Sequence, residues 1–157
     1  MPRALVVFNA HHLGTRWAAE EIARGITDAA PLLTVISSVE ELSEEKVAAS
    51  GIVVLGSSGS ARDAAREVEQ LSARCPPGSL LRKTVSVFDA AGPGQHGEGA
   101  RQLRESLREV VPALHLAAPG ISVDVGRRRR GLSEPEAARC RQFGEHLAEV
   151  ARAAGSA

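Results

Sequence analysis

Hydrophobic and polar positions follow two alternating patterns along the chain. Five short apolar runs have the composition of β-strands, at residues 4–8, 32–37, 51–56, 84–89 and 113–117, and a further apolar stretch at 121–125 follows the last one closely. The first and third runs are continuously apolar rather than alternating. This pattern is typical of strands that are buried on both faces of a parallel sheet.

Helical periodicity fills the intervals between these runs. The predicted helices begin near Gly14 and at 38–50, 61–75, 99–111 and 133–153. Two of them open on a capping-box pattern, Ser38 with Glu41 and Ser133 with Glu136. In the helix at 61–75 the apolar residues Ala64, Val68 and Leu71 recur at helical spacing and predict one buried face.

The alternation of strands and helices predicts the fold class. We expect one α/β domain over residues 1–157, with a doubly wound, five-stranded parallel sheet covered by helices on both faces. In such sheets, ligands bind outside the carboxyl ends of the strands, where the strand order reverses. The loops that follow the first, third and fourth strands are therefore the places to look for a site.

Composition narrows the function classes. The formal net charge is 0, so nothing in the bulk charge favours nucleic acid or an anionic membrane. Cys75 and Cys140 are far apart and have no zinc-type spacing, which predicts two reduced thiols. The first apolar run is too short for a secretion signal, and no stretch has the roughly 20 apolar residues of a membrane span. We therefore expect a cytoplasmic protein without a transmembrane segment.

The three loops carry the candidate chemistry. The first, "NAHHLGTR" at 9–16, leads into a helix whose first amides attract anions, with Gly14 for close approach and Thr15 for a hydroxyl. The second, "GSSGSAR" at 56–62, is small and rich in hydroxyls, and Ser60 in it also suits a helix cap. The third, "DAAGPGQHGEG" at 89–99, is long and rich in glycine, which is typical of binding loops.

At the level of these residues the chain resembles the flavodoxin family. In "VVFNAHHLGTRWAAEEI", an aromatic, a threonine, an alanine and an aliphatic residue fall where that family has them, at Phe8, Thr15, Ala19 and Ile22. The segment "VVLGSSGS" is similar to the strand end that faces the flavin, and the tail "EAARCRQFGEHLAEV" is similar to the closing helix. In layout the chain looks nearest to small flavodoxin-like oxidoreductases and menaquinone-dependent protoporphyrinogen oxidases.

The resemblance implies a flavodoxin-like three-layer fold and a tight, non-covalent FMN. It implies electron transfer, or quinone- or NAD(P)H-linked reduction, with the redox chemistry supplied by the flavin. The expected phosphate contacts are His11, His12, Leu13, Gly14 and Thr15. The expected neighbours of the ring are Ser57, Ser58 and Gly59 on one side, and Ala91, Gly92, Gly94 and His96 on the other. No residue is expected to act as a nucleophile or general base.

Departures from the family pattern support other interpretations. The phosphate loop of flavodoxins reads Ser/Thr-x-Thr-Gly-x-Thr, whereas this chain has Ala-His-His-Leu-Gly-Thr at 10–15. The chain has no Tyr to stack on a flavin, and Trp17 lies in the first predicted helix. The alternative is a flavodoxin-fold binding or scaffolding module without flavin. A receiver-like phosphoacceptor domain would need acidic residues where Asn9, Gly56 and Ser57 stand.

Histidine and arginine clusters add two further hypotheses. His11 and His12 can donate hydrogen bonds to a phosphate, or bind a metal together with His96. The run Arg127–Arg130 is a candidate docking surface for an acidic redox partner, a dinucleotide phosphate or an anionic membrane. Nucleic acid is not expected there, because no aromatic side chains are interleaved with the arginines.

Overall fold

A five-stranded parallel sheet forms the centre of the molecule. The structure is a computed structural model that describes residues 3–92, 97–126 and 131–155. The strands are β1 (Arg3–Phe8), β2 (Leu33–Ser38), β3 (Ser50–Ser58), β4 (Thr84–Ala91) and β5 (Ile121–Asp124). Their spatial order is β2-β1-β3-β4-β5, and every neighbouring pair is parallel. The predicted doubly wound sheet is confirmed.

Helices cover both faces of this sheet. They are α1 (Leu13–Ala29), α2 (Glu44–Ala48), α3 (Ala61–Arg74), α4 (Glu98–Val110) and α5 (Glu134–Ala154). One core cluster joins the sheet to α1 and α5, and a second cluster joins it to α2, α3 and α4. The molecule therefore has three layers, as predicted. Among the described residues, no helix combines the length and apolarity that crossing a membrane requires.

The fifth strand lies later in the chain than the first of the two candidate runs. Residues 113–117 are not a strand, and β5 forms instead from the second run. The earlier run makes a single bond to β4, from the Ala117 amide to the Val85 carbonyl at 2.8 Å. Pro112 and Pro119 flank it, and proline has no amide hydrogen to donate to a sheet. Only one segment can occupy the free edge of β4, and the Ile121–Asp124 segment does so.

The second predicted helix is shorter than expected and begins at another serine. Residues Val39–Glu41 form one 3-10 turn, and α2 follows it. Ser38 makes no side-chain cap, whereas the Ser43 hydroxyl accepts a hydrogen bond from the Lys46 amide at 3.2 Å. The buried Leu42 has an extended backbone between the two pieces. Its insertion into the core interrupts a continuous helix.

The sheet edge where β1 and β3 end is the topological switch point. From β1 the chain runs through α1 to β2 at one side, and from β3 it runs through α3 to β4 at the other. The helices that follow these two neighbouring strands lie on opposite faces of the sheet. A crevice between such loops is where open α/β sheets bind their ligands.

Candidate functional site

The loop after β1 is shaped by hydrogen bonds among its own residues. The Asn9 side chain accepts from the His11 amide at 2.9 Å, and the Asn9 carbonyl accepts from the His12 amide at 3.0 Å. The Thr15 hydroxyl accepts from the Asn9 amide at 3.0 Å, and it lies within 3.0 Å of the Asn9 and His12 carbonyls. Thr15 is 0% exposed. Its hydroxyl therefore holds the loop together in this structure.

The first amides of α1 have no acceptor in the described part of the chain. His12 is the N-cap residue but makes no side-chain cap, and the first turn contains no acidic residue. The Leu13 and Gly14 amides consequently lack hydrogen-bond partners among the described residues. Leu13 is 64% exposed. These two N–H groups carry the positive end of the helix dipole, which is the local arrangement that attracts phosphate.

Gly14 is required by packing inside the protein. A Cβ atom at this position would lie 2.6 Å from Val125 Cγ1 and 3.0 Å from His12 Cε1. Val125 is held at the sheet edge because its amide donates to the Ala91 carbonyl at 3.0 Å. The glycine thus lets the start of α1 approach the segment after β5. The sequence suggested that Gly14 lets a ligand come close to the backbone. In the structure, the atom that comes close belongs to Val125 of the protein itself.

The connection from β3 to α3 is short and internally bonded. Only Gly59 and Ser60 separate the two elements. The Ser58 hydroxyl donates to Asp63 Oδ2 at 2.7 Å, and the Ser60 hydroxyl accepts from the Asp63 amide at 3.3 Å. The buried Ser57 hydroxyl has no hydrogen-bond partner among the described residues. Of the hydroxyls predicted to border the ring, Ser57 is therefore the one with free bonding capacity.

The loop after β4 is described only at its two ends. Ala91 is buried at the end of β4, and a Cβ at Gly92 would have no described atom within 4 Å. Gly94 and His96 lie outside the described residues, and so does Arg127–Arg130. The ring contacts predicted for Gly94 and His96, the metal hypothesis involving His96 and the docking hypothesis for the arginines therefore stay predictions.

A buried carboxylate fixes α4 against the ends of β3, β4 and β5. Asp89 Oδ2 accepts from the Ala100 amide at 2.8 Å and from the Ser122 hydroxyl at 3.2 Å. At Gly99, a Cβ atom would overlap the carbonyl oxygen of Ser58. The start of α4 is thus packed directly onto the end of β3.

A polar cavity of about 260 Å³ lies beside the loop after β1, on the α3 side of the sheet. We call it the acidic cavity; its walls include His11, His12, Glu40, Asp63, Arg66 and Glu67. Glu67 is 3% exposed, and burial raises its pKa from near 4.5 to about 7, with the negative charges of Glu40 and Asp63 adding to the effect. Burial also lowers the pKa of His12.

Glu40 and Glu67 were not among the predicted site residues, although Glu67 leaves a detectable pattern in the sequence. Glu67 stands three residues after Ala64 and four before Leu71, which places it on the buried stripe of α3. A carboxylate in an otherwise apolar stripe is uncommon, because burial of an unpaired charge is costly. Glu40 offered no such pattern, since its position depends on the 3-10 turn after β2.

The flavin implied by the fold can be compared with these residues. The unpaired Leu13 and Gly14 amides suit a phosphate, whereas the unpaired Ser57 hydroxyl belongs to a side chain that is 0% exposed. No aromatic residue occurs in the sequence of the second or third loop. Trp17 instead lines a separate depression against Glu134 and Ala137 of α5. The phosphate end of the site fits FMN, and a ring bound here would lack an aromatic stacking partner from these loops.

Comparisons with known proteins define the class of fold. No family model matches the chain, and no curated protein matches it. A flavodoxin from the domain Archaea superposes with a TM-score of 0.70 at 19% identity, covering 96% of this chain and 99% of that one. Oxidised Flavodoxin 2 from Bacillus cereus superposes with a TM-score of 0.71 at 20% identity, covering 94% and 98%.

A region of a larger protein has the same fold. The rubredoxin oxygen:oxidoreductase from Desulfovibrio gigas superposes with a TM-score of 0.71 at 14% identity, over 99% of this chain but only 37% of that one. These identities are too low to carry over activity or ligands, and they show the fold. The chain has the flavodoxin-like fold, as its sequence resemblance implied.

Proposed function

We propose that this chain is an FMN-binding, flavodoxin-like redox domain that transfers electrons to or from a partner protein, a quinone or NAD(P)H. The observation that carries the proposal is the uncapped start of α1. Two unbonded amides, Leu13 and Gly14, lie at the switch point between β1 and β3, in a fold that is shared with flavodoxins.

The residues present suggest how each end of FMN would be held. The Leu13 and Gly14 amides would donate to the phosphate, with His11 and His12 as further donors in place of the family's hydroxyls. The ring would lie against the ends of β3 and β4, near Ser57 and Gly92. When bound, FMN would supply one- or two-electron transfer, and the protein would tune its potential.

A titration with FMN and with riboflavin tests this proposal. Riboflavin has the same ring but no phosphate, so it cannot use the α1 amides. We expect sub-micromolar FMN binding and at least about a hundredfold weaker riboflavin binding, because two charge-assisted hydrogen bonds are lost. Flavin absorbance bands in the purified protein would support the same conclusion. Absence of binding, or equal binding of the two flavins, would overturn it.

A second function is favoured by the inward-facing Thr15 and by the missing aromatic residues. The buried Thr15 hydroxyl bonds only within its loop, and the second and third loops offer no Phe, Tyr or Trp to stack on a flavin. In this alternative the domain is a binding or scaffolding module that has kept the fold and lost the cofactor. A protein that remains colourless and ignores both flavins would favour it.

A further inference from the structure

The acidic cavity contains buried carboxylate oxygens that receive no hydrogen bond. Glu67 Oε2 and Glu40 Oε2 are both buried, and neither has a hydrogen-bond partner in the described part of the chain. A buried acceptor without a donor costs about 1–3 kcal/mol, and more when it is charged. Two such atoms around one small cavity therefore destabilise the fold unless something binds there.

The charges around the cavity are also unbalanced. Three carboxylates, Glu40, Asp63 and Glu67, face one arginine, Arg66, which is exposed and has no carboxylate within 4.0 Å among the described residues. His11 approaches Glu40 at 3.8 Å, but its side chain is 86% exposed. The Arg66 charge partly offsets that of Glu67, but no cation lies within 4.0 Å of the Glu67 carboxylate among the described residues.

Glu67 is the residue that turns this cluster into a candidate site. It lines the cavity, it is 3% exposed, and its Oε2 has no partner. An apolar residue at this position of α3 would extend the stripe formed by Ala64, Val68 and Leu71 without cost. The presence of a carboxylate at this position is explained if a ligand that enters the cavity forms an ion pair with it.

We propose that the acidic cavity binds a small organic cation whose charged end carries several N–H donors, as an alkylguanidinium or alkylammonium group does. Such a group supplies the donors that the Glu67 and Glu40 carboxylates lack, and it supplies the compensating charge. A neutral donor would leave that charge unpaired. A metal ion is disfavoured, because no group of three or more metal-ligating side chains converges in the described residues.

The cation site adjoins the proposed flavin site at His11 and His12, but its carboxylates lie elsewhere. They come from α3 and from the 3-10 turn after β2, on one side of the sheet. The Leu13 and Gly14 amides begin α1, which packs on the opposite side. Flavin binding is read from absorbance and cation binding from heat, so the two proposals can fail separately.

Calorimetric titration with ethylguanidinium and with butylammonium tests the proposal, and ethylurea is the neutral control ligand. At pH 7.5 we expect saturable one-to-one binding of the cations and none of ethylurea. Binding should release protons, detectable with buffers of different ionisation heats, because a cation favours the ionised form of Glu67. Glu67→Gln should weaken binding at least tenfold. Glu69→Gln, at an exposed position on the same helix, should leave it unchanged.

Several results would overturn the proposal. These are no saturable binding, equal binding of ethylurea, or unchanged affinity in a Glu67→Gln protein whose circular dichroism matches the unmodified chain. Displacement of the cations by micromolar Mg²⁺ or Zn²⁺ would indicate a metal site instead. A short peptide with one arginine distinguishes the source of the cation. Binding at least tenfold tighter than ethylguanidinium would indicate a partner's side chain, and equal binding would indicate a free small molecule.

Discussion

The two halves of the sheet's carboxyl edge, one at the ends of β3 and β4 and the other at the end of β1, differ in how many of their polar groups are hydrogen-bonded within the protein. At the ends of β3 and β4, the Ser58 hydroxyl bonds Asp63, and Asp89 bonds both the Ala100 amide and the Ser122 hydroxyl. At the end of β1, the loop is hydrogen-bonded through Asn9 and Thr15, but the Leu13 and Gly14 amides have no partners among the described residues. Two buried carboxylate oxygens in the adjoining acidic cavity also have none. Within the described part of the chain, the first half thus leaves only the Ser57 hydroxyl unpaired, whereas the second leaves several polar groups unpaired.

This difference separates residues that build the edge from residues that can bind something. A polar group already bonded inside the protein must lose that bond before it contacts a ligand, so it contributes little affinity. A group with no hydrogen bond inside the protein has none to lose, so its new bond contributes fully to the ligand's affinity. The half at β1 is therefore where the structure can gain most from an anion on one side of the sheet and a cation on the other.

The largest effect is expected from Gly99→Ala, which tests how tightly the bonded half is packed. The added Cβ would overlap the Ser58 carbonyl oxygen, and backbone atoms can yield only by shifting α4 away from β3. We expect a loss of about 3 kcal/mol or more in the free energy of unfolding. Gly92→Ala is the control, because its Cβ would meet no described atom within 4 Å, and the substitution should change stability little. Equal losses of unfolding free energy for the two variants in chemical denaturation would show that α4 is not tightly packed on the end of β3.

A pH-dependent effect is expected from Glu67→Gln in the unbonded half. The folded pKa of about 7 lies above the usual value near 4.5, so ionised Glu67 destabilises the fold. That cost is absent below pH 4.5, grows as the pH rises through 7, and then levels off at about 3 kcal/mol. The Gln variant should remove this dependence. Unfolding in urea at pH 4.5 and pH 8.5 measures the effect; an unchanged pH slope in the variant would contradict it.

A smaller effect is expected at the capped start of α3. Ser60→Ala removes the acceptor of the Asp63 amide and should cost about 1 kcal/mol. Ser60→Asn keeps a capping oxygen and should retain most of the stability. Thermal unfolding of both variants makes the comparison. If the melting temperatures of the two variants fall equally, the hydrogen bond from the Asp63 amide to the capping side chain does not stabilise this turn.

The sequence predicted the layers and the sheet because these follow from local patterns. Continuous apolar runs identified the central strands, and glycine-rich loops identified the edge. The fifth strand was ambiguous, because 113–117 and 121–125 are both apolar and only pairing with β4 distinguishes them. The position of one strand therefore depended on the tertiary structure.

The candidate site was predictable only in part. The first loop could be chosen from the order of elements, but the inward direction of Thr15 depends on its bonds to Asn9 and His12. The acidic cavity depends on the loop after β1, the turn after β2 and α3 meeting in space. Residues so far apart in sequence give no local pattern, and Glu67 alone left a trace by interrupting an apolar stripe.

One measurement tests the FMN proposal most directly: FMN affinity of Leu13→Pro compared with Leu13→Ala. Leu13 is the first residue of α1, where proline is tolerated, and His12 before it already has the extended backbone that proline requires. Both variants lose the exposed leucine side chain, but only the proline removes an amide donor. We therefore expect both proteins to be about equally stable.

We predict that Leu13→Pro binds FMN at least about tenfold more weakly than Leu13→Ala, because one hydrogen bond to a charged phosphate is lost. Riboflavin should bind both variants equally. Equal FMN affinities in two folded variants would show that the start of α1 holds no phosphate, and would contradict the proposed site.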